Sequence, residues 1–350
     1  MNTEFHIATQ FRPSIIETIP LGNGLINDTF LVTTESKPFV LQRINRQVFP
    51  RPELIMENLN TLIDHINKKN STAIKLQIPD ILKTQDGNKF FNDNNGDCWR
   101  ALSFIDNTES LETLTSKHDA EQTGFALGHF HRLVSDLNPA KLHDTLPGFH
   151  VTPNYLDNYR RGRDQSTSVD NSVQSQFCAD FIASFQHLAT HLETAKNDGL
   201  LPIRVIHGDP KLNNFLFDKQ SRKIVSLIDL DTVKPGLVHY DIGDCLRSCC
   251  HNTNDDSFNI DFCEVLLRSY LTEANTFFST SDYHFLYAAI ELIPFELGLR
   301  FYTDYLDGNR YFKVSDPLQN LQRACSQFRL CASIMDQKPA IEHLISLLKK

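Results

Sequence analysis

His207, Gly208, Asp209, Lys211 and Asn214, followed by Asp229 and Asp231, are the residues whose types and spacing are best suited to chemistry. They lie in RVIHGDPKLNNFLFDKQSRKIVSLIDLDTVKPG, residues 204–236. Lys211 and Asn214 follow Asp209 by two and five positions, the spacing of a phosphoryl-transfer loop in which an aspartate meets an incoming hydroxyl. After the apolar run Phe215–Phe217 and a polar turn at Lys219–Arg222, a second apolar run, IVSLI, ends in Asp229 and then Asp231. Two short strands therefore form a hairpin that offers one carboxylate to a hydroxyl and another to a metal. Phosphoryl transfer leaves a protein little covalent work beyond alignment and charge neutralisation. Asp209 would orient the hydroxyl or accept its proton, and Lys211 would lie near the transferring phosphate. Asn214 and Asp229 would bring oxygens to magnesium, which prefers hard ligands and retains several waters, with Asp231 as a further ligand. His207 reads more readily as a structural hydrogen bond holding the loop than as a proton carrier. Asp and Asn are also ordinary turn residues, but a plain turn explains neither the Lys and Asn intervals nor the following strand that ends in Asp.

The flanking chain supplies elements to position these groups. Met1–Ile16 holds a short amphipathic segment, and Ile16–Thr34 alternates as strand, turn, strand. Gly22 and Gly24 flank Asn23 in that turn, which either lets backbone N–H groups approach ATP phosphates or is a simple hairpin. A third strand, Phe39–Ile44, carries Gln42 where most kinases place a lysine, with Arg43 on the opposite face. Glu53–Ile66 has helical apolar spacing, and Glu57 either pairs with a strand cation or is solvated. Lys89–Ile105 reads as a hairpin around Asn95-Gly96 and then the strand WRALSFI. Ser103–Asp106 should form the hinge that meets adenine, with Phe104 and Ile105 lining that pocket or filling core. The remainder reads as mostly helical, with helices over Ala120–Leu133, Phe177–Glu193 and Phe285–Tyr305. His129 and His131 read as surface or satisfied packing rather than ligands. Arg160–Gln176 is the best candidate for a mobile loop near the substrate mouth. Asp241 caps the helix after the metal loop or braces the catalytic loop, capping being the simpler role. The expected division is residues 1–105 as a nucleotide-binding lobe and 106–350 as a catalytic and substrate-binding lobe.

Composition narrows the function classes. A chain of 350 residues with 41% hydrophobic and 22% charged residues is long enough for two lobes, each with a core. A formal net charge of −9 argues against a nucleic-acid partner, which is held by clustered Lys and Arg. Neither a signal-like pattern at Met1–Pro20 nor an apolar run long enough to cross a membrane is evident, so a cytoplasmic enzyme with no membrane partner is expected. The 8 cysteines are too few and too irregular for a disulfide scaffold. Cys245, Cys249, Cys250 and His251 could be proposed for zinc, but the segment has no paired CxxC and reads as one helix with buried thiols.

At the HGDPKLNN and IDLD stretches the chain resembles the aminoglycoside phosphotransferase and choline kinase superfamily. This implies an α+β, two-lobe protein-kinase-like fold, with a small antiparallel-sheet N-lobe, a larger mostly helical C-lobe, and ATP and Mg2+ as cofactors. Within it, GNGLINDTFLVTT, FVLQRINRQVFP, LRFYTDYLDGNRYFK and LPIRVIHGDPKLNN resemble the N-acetylhexosamine 1-kinase group, from about Leu21 to Leu330. That likeness implies an ATP-dependent sugar kinase acting on the anomeric hydroxyl of an N-acetylhexosamine. It also implies that Arg300 and Tyr311 hydrogen-bond the sugar and that Gln42 is compatible with activity. Gly208 and Leu25 depart from that group's pattern. The rivals are a kinase of another small hydroxyl compound, such as an aminoglycoside, choline or another sugar, and a nucleotide-binding pseudokinase suggested by Gln42.

Overall fold

A computed structural model of the chain describes residues 3–22, 26–165 and 172–349. Its N-terminal part contains α1 (Thr3–Ala8), β1 (Ile15–Pro20), β2 (Asp28–Thr34), β3 (Phe39–Ile44) and α2 (Pro52–Asn67). The short strands β4 (Ile81–Leu82) and β5 (Phe91–Asn92) and the longer β6 (Cys98–Ser103) complete it. These strands make one six-stranded antiparallel sheet in the order β1-β2-β3-β6-β4, with β5 also paired to β6. Side chains alternate faces along each strand. Phe39, Leu41, Trp99 and Ala101 bury one face against Ile7, Ala8 and Phe11 of the N-terminal segment. Burying a large apolar side chain contributes about 1.5–3 kcal/mol, which explains why a short helix such as α1 stays docked. The other face meets α2, where Ile44 and Cys98 pack with Ile55. Thr29, Gln42 and Arg100 lie side by side across β2, β3 and β6 on this second face.

The chain then enters the helical half, although β7 (Thr108–Ser110) still pairs with β9 (Phe215–Asp218). α3 (Lys117–Val134) starts at Ser116, whose side chain accepts from Asp119 N. α4 (Thr152–Gln165) and α5 (Val173–Phe185) follow, and α5 is capped by Ser172. Of the segment expected to be a mobile loop, 160–165 and 173–176 are therefore helical, and 166–171 lie outside the described residues. The helix expected over Phe177–Glu193 is broken. α5 ends at Phe185, a tight turn spans Gln186–Thr190, and α6 (His191–Asn197) resumes. Gln186 Nε2 and Thr190 Oγ1 donate to the Ala183 and His187 carbonyls, competing with the continuous helical ladder.

Next comes the paired-strand region. β8 (Arg204–Ile206) pairs with β11 (Lys234–Gly236), and β9 pairs with β10 (Ile224–Leu227). α7 (Val238–Cys249), the small hairpin β12 (His251–Asn252) and β13 (Ser257–Phe258), α8 (Ile260–Ala274) and α9 (Thr280–His284) follow. The chain closes with α10 (Leu286–Leu306), α11 (Gln319–Asp336) and α12 (Lys338–Leu348). α7 seats closely on α10 at Gly243, where a Cβ would lie 2.5 Å from the Ala289 carbonyl oxygen. That contact fixes the two helices that carry much of the site described below. One continuous apolar core runs through these helices and reaches Phe215, Phe217 and Leu227 beneath the catalytic hairpin. Among the described residues no helix is long and apolar enough to cross a membrane.

Candidate active site

A cleft of about 830 Å³ separates the sheet from the helices. It gathers Gln42, Asp209, Lys211, Asp229, Asp231, Arg300 and Tyr311 along its wall. Gly22, Phe104, Ile105 and Asn214 do not line it. Gly22 adopts φ 72° two residues after β1, and Gly24 lies outside the described residues. Ile105 is buried and its carbonyl accepts from Thr108 Oγ1 at 2.8 Å.

The candidate catalytic loop, residues 207–214, is held by buried groups that come from distant parts of the chain. Gly208 has φ 89°, and a Cβ there would lie 2.6 Å from the Thr232 carbonyl oxygen. Only glycine suits that turn. The Asp241 carboxylate accepts from His207 N at 2.6 Å and from Gly208 N at 2.8 Å. His131 Nε2 donates to the same carboxylate at 2.9 Å, while its other ring nitrogen bonds Tyr270. α7 starts at Val238, so Asp241 lies inside the helix and braces the loop, contrary to the capping role expected for it. Burial opposes its charge, but the His131 hydrogen bond and the Gly208 N–H hold its pKa below the usual carboxylate range. His150 Nε2 donates to the Gly208 carbonyl at 2.8 Å and Nδ1 donates to Glu296 Oε1 at 2.9 Å. Thr152 Oγ1 donates to the other Glu296 oxygen at 2.6 Å. Burial alone would deprotonate His150, but Glu296 raises its pKa, giving an enclosed ion pair.

His207 itself is fully buried. Its Nε2 donates to the Ile228 carbonyl at 2.9 Å and its Nδ1 accepts from Asp209 N at 3.3 Å. Burial lowers its pKa, so the ring is neutral and ties the catalytic loop to the metal loop. Asp209 is partly open to the cleft, and Lys211 Nζ donates to its Oδ2 at 2.5 Å. Burial alone would lower the Lys211 pKa, yet Asp209 and Asp229 keep it raised and the ammonium charged. The cation is thus fixed on Asp209 and acts electrostatically on Asp229.

Asn214 Nδ2 donates to the Asp209 carbonyl at 2.7 Å, and its Oδ1 has no hydrogen bond among the described residues. Asp229 sits in left-handed backbone, φ 66° and ψ 57°, and makes none either. Burial pushes its carboxyl up to about 6; Lys211 opposes this, and the Asp231 and Asp209 carboxylates add to it. Ile228 N donates to the Asn214 carbonyl at 2.9 Å, which joins the two segments, and a recessed carboxylate without donors together with a free amide oxygen would suit a hard divalent cation. Among the described residues no group of three or more His, Cys, Asp or Glu is placed to hold a metal. Phosphate oxygens and water would therefore complete the shell. Asp231 is differently engaged: Arg100 bonds one carboxylate oxygen, and Asn27 Nδ2 donates to the other at 2.8 Å.

The rest of the cleft lies toward α10 and α11. The Arg300 guanidinium is within 5.0 Å of the Phe149 and Tyr155 ring centres, 5.5 Å of Phe312 and 5.9 Å of Tyr311. It makes no hydrogen bond or ion pair among the described residues. Asp244 Oδ2 and Gln327 Oε1 are buried in the same cleft without a hydrogen-bond partner among them. Elsewhere, Glu57 pairs with His143, and Arg43 pairs with Asp28 and Asp97 on the far face of the sheet. Cys245 and Cys249 share a helix face with sulfurs 3.9 Å apart, while His251 bonds Asp256.

Sequence reasoning did not single out Arg100, Asn27, His150, Glu296 or Gln327. Arg100 left one readable sign, a charge inside the apolar strand WRALSFI. The others become meaningful only once distant segments meet.

Solved structures share this architecture at low identity. An aminoglycoside phosphotransferase from Alicyclobacillus acidocaldarius is 16% identical with a TM-score of 0.61, covering 97% of this chain and 96% of its own. A microcompartment-associated aminopropanol kinase is 16% identical with a TM-score of 0.65, covering 96% of this chain and 97% of its own. Amicoumacin kinase hAmiN, solved in complex with AMP-PNP, Ca2+ and Ami, is 14% identical with a TM-score of 0.62, covering 92% of this chain and 91% of its own. The fold is accordingly protein-kinase-like, with an antiparallel-sheet N-lobe and a helical C-lobe. The family model for the phosphotransferase enzyme family matches residues 17–275, a span that holds nearly all of the sheet and the Asp209 and Asp229 loops. This chain belongs to that phosphotransferase family.

Proposed function

We propose that the protein transfers the γ-phosphoryl group of ATP, bound with magnesium, to the anomeric hydroxyl of an N-acetylhexosamine, giving the sugar 1-phosphate. In this reading residues 1–105 bind the nucleotide and residues 106–350 supply catalysis and the acceptor site. Asp209 orients the anomeric hydroxyl and takes its proton as the bond to phosphorus forms, and Lys211 offsets charge on the transferring group. Asn214 and Asp229 would hold the metal, which when bound neutralises the phosphate oxygens.

Arg300 is the observation that carries the choice of acceptor. A charged guanidinium with no ion pair among the described residues, ringed by Phe149, Tyr155, Tyr311 and Phe312, lines the α10 side of the cleft, which this reading gives to the acceptor. Glu296, a buried acid that acts electrostatically on Arg300, is already paired with His150. An ammonium-bearing acceptor such as an aminoglycoside or choline would meet a cation there, whereas a sugar offers hydroxyl and acetamide oxygens to the Arg fork and the Tyr311 hydroxyl. The bare acceptors Asp244 Oδ2 and Gln327 Oε1 suit sugar O–H and amide N–H donors. The resemblance of the Leu21–Leu330 stretch to the N-acetylhexosamine 1-kinase group points the same way.

The test is phosphate transfer from ATP and magnesium to N-acetylglucosamine, N-acetylgalactosamine, glucose, galactose, choline and kanamycin in parallel. Selective transfer to an N-acetylhexosamine is expected. Preference for choline or kanamycin would refute the acceptor assignment and leave the phosphotransferase chemistry intact.

A further inference from the structure

We infer that Arg100 is the positioning cation of the nucleotide site, acting from β6 through Gln42 and Asp231 in place of a lysine on β3. This inference rests on the cleft binding nucleotide phosphates. Arg100 is 2% exposed and does not line the cleft, whereas its register partner Gln42 does. Arg100 Nε and Nη2 donate to Gln42 Oε1 at 3.0 and 2.8 Å, and Nη2 also donates to Asp231 Oδ1. One buried guanidinium therefore ties the sheet of the first lobe to the metal loop of the second.

The same contacts decide which way the Gln42 amide points. Arginine only donates, so Gln42 must turn its oxygen toward Arg100 and its NH2 group away. Nε2 donates one hydrogen to Thr29 Oγ1 at 3.1 Å, on the next strand. Its second hydrogen remains for a ligand on the cleft side. An amide N–H so oriented can donate to a phosphate oxygen, while Arg100 supplies the positive charge one strand away. Asp231, whose other oxygen accepts from Asn27, anchors this cation beside Asp229. The cation a strand lysine would bring is thus displaced by one strand and buried, and the phosphate contact is passed to an amide.

The test measures Mg-ATP and ATP affinity by calorimetry alongside urea stability, none of which needs a known acceptor. Gln42→Glu keeps an oxygen for Arg100 and makes a charged pair, but removes the N–H and places a negative charge toward the phosphates. It should keep or gain stability and bind ATP about tenfold to a hundredfold more weakly, the effect of losing a hydrogen bond to a charged group. Arg100→Gln should weaken ATP binding as well, and adding Gln42→Lys should recover much of the loss by returning a cation to β3. Normal ATP binding by folded Gln42→Glu, or no recovery in the folded double variant, would overturn the inference. Failure of the wild-type protein to bind ATP would instead overturn the nucleotide reading of the whole cleft.

Discussion

Asp241→Asn probes the brace under the catalytic loop with little change in shape. The native carboxylate is fully buried and accepts three hydrogen bonds, from His207 N, Gly208 N and His131 Nε2. An asparagine keeps one acceptor oxygen and turns an NH2 group toward at least one of these donors. A hydrogen bond to a charged group contributes about 1.5–3 kcal/mol, and an unsatisfied buried donor costs about 1–3 kcal/mol. The expected loss is about 3–5 kcal/mol, below the roughly 5–15 kcal/mol typical of a folded domain. The variant should therefore fold while the peptide carrying Asp209 shifts, and a displacement near 1 Å can cost about a hundredfold in rate. Urea unfolding gives the first quantity and kcat for ATP-dependent transfer the second. The pH dependence supplies a further check. Because the native Asp241 pKa is depressed, its stabilisation is present above the ordinary carboxylate pKa and is lost as pH falls through the folded value. The variant should lack that acid limb. A loss below about 1 kcal/mol together with a wild-type rate would refute the brace.

Other perturbations give equally specific expectations. Gly208→Ala should lower kcat at least about tenfold and destabilise by about 1–3 kcal/mol, since φ 89° and the Thr232 carbonyl at 2.6 Å leave no room for a methyl group; a normal rate would mean the loop tolerates another backbone. Glu296→Gln removes the partner of His150 and should cost about 3–5 kcal/mol near neutral pH. The raised His150 pKa contributes stability below its ordinary value of 6.5 that is lost as pH rises through the folded pKa, so the deficit should shrink in alkaline buffer. Urea midpoints across pH would show this, and a pH-independent deficit would contradict the ion pair. Arg300→Lys should raise KM for the acceptor about tenfold or more while leaving KM for ATP near normal, because a lysine lacks the planar fork; an equal rise in both would place Arg300 outside the acceptor site.

The fold and the hairpin between Asp209 and Asp229 were legible because local patterns determine them. Strand alternation in Phe39–Ile44 and Cys98–Ser103 marks the sheet, and Asp209, Lys211 and Asp229 are brought together by a short loop, a hairpin and their turns. What supports that loop was not legible. His131, His150, Asp241 and Glu296 converge on two peptide groups from α3, the segment before α4, α7 and α10, and nothing in their own neighbourhoods specifies that meeting. Asp241 looked like a helix cap because a short-range role is the simplest one available to an Asp near a helix start. The break between α5 and α6 was hidden for a related reason, since apolar periodicity continues through Gln186–Thr190 while polar side chains bond the backbone. Arg100 was hidden because only sheet register brings it beside Gln42, whose amide oxygen accepts from it.

Phosphorus NMR of the product formed with N-acetylglucosamine or N-acetylgalactosamine, run beside the corresponding methyl glycosides, tests the central claim most directly. Transfer to the anomeric oxygen predicts a sugar 1-phosphate from the free sugars, no product from the methyl glycosides, and loss of product with Asp209→Asn. Phosphorylation of a methyl glycoside, or a product carrying phosphate on another hydroxyl, would contradict it.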